Sequence, residues 1–525
     1  MRKIIYFFIF SILFLNGCSD TIEQGQISFL SNGKLSSDQK FLKILDINHL
    51  KSLNLNDSEI KWIIDTYKKR GYKRFFSNDS TLFDISFDLQ CELDRSIWYG
   101  IPKIRIRSIN KSHHFLEKEV LLMLNFGRMI SDLNQGFFDF KERKLKQDLS
   151  LIFTEKYLKE IDTISLTKLF QKQGPTDTNY RFLAYNLYHY GKSHLIDTTE
   201  FKINPLEKDK TKLFKLAKKS LLSKGWLEED ADSSTFVNAL KKFQTENGLD
   251  ADGRIGKNTI YSLNESTYDK MLRASLSLDR LRNLNSYPKK FVKVNIPEFM
   301  LYFYADDTLR SSHRIIVGKV ENQTPQLESK IWRIVCYPFW KVPSSIANKE
   351  ILPAVQLNPN YLVKNHYKVY RSKDQEINPK NINWRKYSHF PYSVIQEPGA
   401  KNSLGIIKFE FNNSYSVYVH DTPNKNLFNT VFRSYSHGCM RCDKPVELAK
   451  SILTFDSIPG KVNPFRADTL DSLLAKPGNL PIPLIEPIPI YVVYETVAAE
   501  KENLIFHLDL YRREEELVKI LKGKK

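Results

Sequence analysis

The hydrophobic period of the chain changes near Lys290, and that change constrains the fold more than any other feature. Before it, apolar residues recur at helical spacing, as in Val120-Leu121-Leu122-Met123-Leu124-Phe126 and Tyr180-Phe182-Leu183-Tyr185-Leu187, the mark of helices with a buried face. After it the period is two, in Phe291-Val292-Lys293-Val294-Asn295-Ile296, Met300-Leu301-Tyr302-Phe303-Tyr304 and Arg314-Ile315-Ile316-Val317-Gly318, which predicts strands. Further candidate strands lie at 332–337, 406–411 and 415–420. Helices gathered in one part and strands in another predict an α+β fold. At 525 residues the chain is too long for one hydrophobic core, and about one domain per 150 residues suggests roughly three.

Residues 20–205 predict a mainly helical scaffold domain that contains no cluster of catalytic residue types. Residues 207–266 predict a compact helical unit: an amphipathic stretch 213–222, a turn at Gly225-Trp226-Leu227, a second helix through Phe236 and Phe243, a glycine-punctuated loop 247–256, and a short helix 257–263. Residues 288–455 carry the strand signals, interrupted at 343–392 by a stretch without alternation that reads as an insertion lying over the domain. Residues 456–525 are expected to form a C-terminal extension, with a proline-rich link from Pro481-Ile482-Pro483 to Pro487-Ile488-Pro489, strand-like runs at 490–494 and 504–510, and a charged helical tail.

At the amino terminus, Met1-Arg2-Lys3 precedes an apolar run of twelve residues, 4–15, and then Leu15-Asn16-Gly17-Cys18. A membrane span needs about 20 apolar residues, so residues 1–18 read as a lipoprotein signal peptide ending in a lipobox, with Cys18 the lipidated first residue after processing. The chain is then expected outside the cytoplasm, lipid-anchored to the periplasmic face of a bacterial membrane. The formal charge of +19 suits nucleic acid, anionic lipid or an acidic polymer; export argues against nucleic acid. The five cysteines, Cys18, Cys91, Cys336, Cys439 and Cys442, are too few for a disulfide-built scaffold, so at least one invites a chemical explanation.

The residues suited to chemistry concentrate in Tyr418-Val419-His420-Asp421-Thr422-Pro423 and, after fifteen residues between His420 and Ser436, in Ser436-His437-Gly438-Cys439-Met440-Arg441. A thiol is a useful nucleophile only as thiolate, and histidine is its usual activator. Alternation over 416–420 puts Val417 and Val419 on the buried face and Tyr418 and His420 on the other, with His420 at the strand end, a good place for a base. His437, two residues before Cys439 in a tight loop with Gly438, more plausibly shapes the loop or an oxyanion site. Pro445 opens a helix shortly after. Cys439-Met440-Arg441-Cys442 is also a CxxC, which can be read as a redox pair, as half a zinc site, or as a nucleophile followed by a small buried residue. The paired spacing of a zinc site is absent, so no metal is expected.

Two resemblances follow from these residues. Phe243-Gln244, Gly248-Leu249, Asp252-Gly253 and the run from Gly256 through Thr259-Ile260 to Leu263-Asn264 make residues 207–266 similar to the peptidoglycan-binding domain, type 1, a three-helix module. His420 followed by Ser436-His437-Gly438-Cys439-Met440-Arg441 resembles the signature of the L,D-transpeptidases (YkuD-type catalytic domain). The similarity extends to Gln323-Thr324-Pro325, Pro338-Phe339-Trp340-Lys341-Val342-Pro343, Gln396-Glu397-Pro398-Gly399 and Leu404-Gly405, as in the large multi-domain branch of that family. The resemblance implies a β-sandwich-like catalytic domain with an inserted helical capping subdomain, no cofactor, and tetrapeptide stems of peptidoglycan as substrates. Cys439 would be the nucleophile and His420 the general base. His437, Gly438 and the backbone near Cys439 would form the oxyanion region, while Ser436 and Arg441 would hold the loop. The implied product is a 3→3 cross-link formed through a cysteinyl thioester, and carbapenem-class β-lactams would acylate the same thiol. A carboxypeptidase or hydrolase on the same dyad, or an idle wall-binding protein, is the alternative.

Overall fold

The computed structural model describes residues 36–110, 112, 114–147, 155–284, 287–373 and 375–523. Cys18 and the expected signal peptide lie outside the described residues. Among those residues no helix is long and apolar enough to cross a membrane.

The first body is helical. Its centre is Phe115–Gln135, which is buried around nearly its whole circumference, its buried charges being paired, Asp132 with Arg105 and Arg128 with Glu59. Asp57–Lys69, Asp84–Asp94, Leu166–Lys172 and Thr178–Ser193 pack on it in one core. Helix starts are set by side-chain caps, such as the reciprocal Asn56 and Glu59 pair. Thr267–Arg282, which follows the three-helix unit in sequence, returns to this body. Its Asp279 carboxylate accepts the amides of Phe137 and Phe138 at 2.8 and 3.0 Å.

The three-helix unit consists of Lys210–Ser223, Ser233–Glu246 and Lys257–Asn264 around Leu221, Leu240, Phe243, Ile260 and Leu263. The motif residues in its loop have a structural reason. Gln244 donates to Asp252 Oδ1 and the Arg254 carbonyl, both at 2.9 Å, and accepts from the Gly253 amide at 2.8 Å.

The catalytic region is built from nine strands: β1 Phe291–Asn295, β2 Met300–Ala305, β3 Thr308–Gly318, β4 Leu327–Cys336, β5 Ile407–Phe411, β6 Val419–His420, β7 Ser434–Ser436, β8 Met440–Cys442 and β9 Leu480–Val493. They are joined in the order β7-β3-β8-β6-β5-β4-β9-β1-β2, and β2 pairs again with β3. The sheet therefore closes on itself, with β7 added outside the circuit, where a two-sheet sandwich was expected. Val292, Ile315, Ile334, Phe409, Val419 and Ile490 fill the interior.

The expected boundary between 455 and 456 is not a boundary in the structure. Residues 481–489, expected as a proline-rich link, join the strand expected from Ile490 in β9, which lies between β4 and β1. Proline lacks the amide that a central strand needs on both sides. Here the four prolines precede Ile490, the first residue of β9 paired to β1, so each sits where only the β4 side is in use. Beyond β9, residues Val497, Leu504, Phe506, Leu517 and Leu521 join the helical core. The presumed extension thus completes two bodies.

The insertion is also larger and less helical than expected. Trp340–Lys341, Ser393–Gln396, Tyr367–Ser372 and Gln375–Ile377 form a four-stranded sheet in that order. It shares a core with the helical run 344–357, drawing on Trp340, Ile351, Val355, Leu362, Trp384 and Leu404. The cap is therefore a mixed α/β unit reaching from Trp340 to Leu404, outside the expected 343–392.

Candidate active site

The short parallel pair β6 and β8 assembles the site. Val419 stands opposite Met440 and His420 opposite Arg441, and the Met440 amide donates to the Tyr418 carbonyl at 3.0 Å. Opposed residues share a face and successive residues alternate. Val419 and Met440 accordingly enter the core, while Tyr418, His420, Cys439 and Arg441 fall on the other face. The strand is shorter than the sequence predicts, because Ser416 takes a left-handed φ of 57° and only Val419–His420 pairs. The predicted separation of Val419 from His420 is nonetheless what brings His420 to the face that carries Cys439.

His420 is buried despite facing away from the core. Its Nδ1 contacts the Asp421 carbonyl, which can only accept, so Nδ1 carries the hydrogen and Nε2 is left as the basic nitrogen. Burial pushes its pKa down to about 3, with the Arg441 and Lys408 cations adding to the effect and the Asp421 and Leu404 carbonyls opposing it. Burial also raises the Cys439 thiol above its usual range, against hydrogen bonds from Tyr418 and the charges of Lys408 and Arg441. Burial thus disfavours the charged form of both groups.

The loop before the thiol is fixed by its own polar groups. Ser436 Oγ donates to the Cys439 carbonyl at 2.6 Å and accepts from the Gly438 amide at 3.1 Å. Gly438 has φ of 112°, a region that side chains rarely enter. Its amide is taken by Ser436, and its carbonyl accepts from Thr324 Oγ1 at 2.8 Å. Both polar groups of Gly438 thus serve the loop, and His437 Nε2 lies 2.8 Å from Glu350 Oε1 of the cap. Arg441 lies across from His420 and its charge acts on Cys439 and His420, so it bears on the site electrostatically.

The CxxC does not operate as a pair. Cys442 lies with Met440 in the core, both 0% exposed, and residues three apart on a strand point to opposite faces. Both thiols are free. A disulfide or a shared metal would need Cys442 to cross the sheet.

Several participants escape a sequence reading. Tyr418 is within hydrogen-bonding reach of the thiol, and Lys408 stands opposite His420 on β5 with its Nζ 4.2 Å from the centre of the Tyr418 ring. Alternation places Tyr418 on the correct face, but no local signal marks Lys408 or Glu350. From the far end of the chain, Tyr511 donates to the Gly318 carbonyl at 2.7 Å and accepts from the Thr324 amide at 3.2 Å. Thr324 in turn holds Gly438, so the C-terminal segment braces the catalytic loop.

Residues 289–462 match the YkuD family of L,D-transpeptidase catalytic domains. A curated Haemophilus influenzae protein, named provisionally as an L,D-transpeptidase, is 30% identical over 240 residues, covering 46% of this chain. The matched segment spans 47% of that relative's length. A solved structure titled the Ldtfm–avibactam carbamoyl enzyme aligns at 9% identity and a TM-score of 0.20, covering 52% of this chain and 87% of the other. At that score it carries no weight in the assignment.

Proposed function

We propose, from the premise that residues 289–462 form a YkuD-type L,D-transpeptidase catalytic domain, that the protein forms 3→3 cross-links in peptidoglycan by acyl transfer through Cys439. The observation that carries this reading is the common face shared by Cys439, Tyr418, His420 and Arg441 across the β6–β8 pair. His420 Nε2 takes the thiol proton as Sγ attacks the carbonyl between the third residue of a tetrapeptide stem and its terminal D-alanine. The tetrahedral centre collapses as the imidazolium returns the proton to the departing D-alanine amine, leaving a thioester. The side-chain amine of a second stem then attacks that carbonyl; the new amide forms, the C–S bond breaks, and a proton passes through His420 to regenerate the thiol.

Arg441 and Lys408 suit the donor. Its terminal carboxylate is an anion, and two cations near the reacting atoms raise its local concentration and orient it. The same site would be acylated by carbapenem-class β-lactams, which present a strained acyl donor. Residues 207–266 would hold glycan or stem peptide, the helical body would set the distance to the membrane, and lipidated Cys18 would anchor the protein at the periplasmic face.

The test is incubation of the protein with purified disaccharide-tetrapeptides, with products read by mass spectrometry beside Cys439→Ala. A cross-linked dimer lacking one D-alanine, absent in the variant, is expected. Tripeptide without dimer would instead identify a hydrolase, and no product at all would leave a wall-binding role.

A further inference from the structure

The second half of the proposed reaction needs something that the dyad does not supply. The acceptor arrives as an ammonium, and an ammonium cannot attack a thioester until it loses a proton. Lys408 and Arg441, which suit the donor's carboxylate, repel it.

The cap brings a carboxylate to this place. Glu350 sits in the π-helical turn Ala347–Ile351, which interrupts the helical run between Ser344–Ile346 and Leu352–Leu357. Turns of this kind sacrifice regular hydrogen-bond geometry and recur at functional sites. Glu350 Oε1 lies 2.8 Å from His437 Nε2, and the two side chains are 51% and 38% exposed. A pair so open to water adds little stability, yet it bridges the cap and the residue two positions before the nucleophile. Glu350 is also close enough for its charge to act on Arg441. The cleft therefore has Arg441 and Lys408 on the sheet side by Cys439, Lys408 being paired with Glu410 at 2.8 Å, and an accessible carboxylate with an imidazole on the cap side.

We propose that Glu350 and His437 form the acceptor-amine site, an assignment that rests on the transpeptidase reading. The Glu350 carboxylate receives the ammonium of the incoming stem's diamino residue, and His437, whose Nε2 hydrogen is held by that carboxylate, takes one proton on Nδ1 and releases it to solvent. The freed amine attacks the thioester carbonyl carbon; the C–N bond forms, the C–S bond breaks with its electron pair to Sγ, and the second amine proton passes by His420 to the thiol. Water, which carries no positive charge, gains nothing from Glu350, so this pair sets the balance between cross-linking and hydrolysis.

Wild-type protein, Glu350→Gln and Glu350→Asp are each incubated with disaccharide-tetrapeptide over a range of concentrations, and D-alanine, tripeptide and dimer are quantified. Dimer formed per D-alanine released should fall at least tenfold in Glu350→Gln, with tripeptide rising, and should recover in part in Glu350→Asp. An unchanged ratio in Glu350→Gln, or dimer and D-alanine falling in equal proportion, would overturn the assignment while leaving the transpeptidase reading intact. Release of D-alanine by the wild type with no dimer would overturn that reading itself, and the acceptor site with it.

Discussion

Tyr418 faces Cys439 across the parallel β6–β8 pair: the chain is locked there by the Met440 amide on the Tyr418 carbonyl at 3.0 Å, and the phenol is within hydrogen-bonding reach of the thiol. That contact favours the thiolate, against the burial that disfavours it. Tyr418→Phe removes the donor and keeps the ring. With one hydrogen bond contributing about 1 kcal/mol, acylation of Cys439 by a β-lactam should slow by roughly fivefold, and the pH at which the thiol ionises should rise. Stopped-flow acylation across a pH series measures both; an unchanged rate would place the phenol outside the reaction.

The depressed pKa of His420 makes a signed prediction about stability. Burial lowers it from the usual 6.5 to about 3, so between those limits the unfolded chain binds a proton that the folded chain does not. The contribution is fully present above pH 6.5 and is lost as pH falls toward 3. From pH 6.5 to 5 the loss from this residue should be about 2 kcal/mol, at 1.36 kcal/mol per pKa unit. His313 and His507 are also pushed down by burial and act with the same sign. Denaturant unfolding of the catalytic region should therefore lose stability with acid less steeply in His420→Gln than in the wild type. Equal slopes would mean that His420 is solvated. Acylation in the wild type should likewise show no inflection near 6.5, because the imidazole is already neutral there.

Gly318 tests the support beneath the catalytic loop. A Cβ at this position would overlap the Asn322 carbonyl and crowd the Thr324 amide, both backbone atoms that cannot rotate away. Gly318→Ala should shift the 319–324 turn, costing about 1–3 kcal/mol as overpacking does, and should loosen Thr324 from the Gly438 carbonyl. Thermal unfolding and acylation rate should fall together. Lost stability with an unaltered rate would show that the Thr324 contact is dispensable.

The legible and illegible parts of this chain differ in how far apart the cooperating residues lie. His420 and Cys439 can be singled out because a thiol, a histidine and the loop between them fall within a few tens of residues, in a pattern chemistry restricts. The fate of Cys442 was open in sequence and closes only with strand alternation and a 0% exposed side chain. Glu350 meets His437 across 87 positions (437 − 350), and Tyr511 meets Gly318 across 193; no local periodicity encodes such pairs. Residues 480–489 misled for another reason. Alternate prolines suggest a link when both strand edges are assumed to need donors, and here only one edge is paired until Ile490.

That misreading yields the strongest test of domain organisation. A chain ending at residue 462, where the family match ends, would keep every residue of the dyad and loop but would lack β9. β4 and β1 would lose the strand between them, and Ile482, Ile488, Ile490 and Val492 would leave the interior. Each fully buried aliphatic side chain contributes about 1.5–3 kcal/mol, so these four alone contribute about 6–12 kcal/mol, comparable to the whole stability of a typical domain, about 5–15 kcal/mol. The truncated protein should therefore lack a cooperative unfolding transition and fail to acylate. Tyr511→Phe in the full chain separates this structural role from loop bracing. It leaves β9 in place and removes only the hydroxyl between Gly318 and Thr324, so it should unfold near the wild-type temperature while acylating at least about fivefold more slowly, since two hydrogen bonds of about 1 kcal/mol each are lost. A truncated chain that folds and acylates normally would make β9 an accessory. A Tyr511→Phe variant with wild-type acylation would confine the C-terminal segment to holding the sheet together.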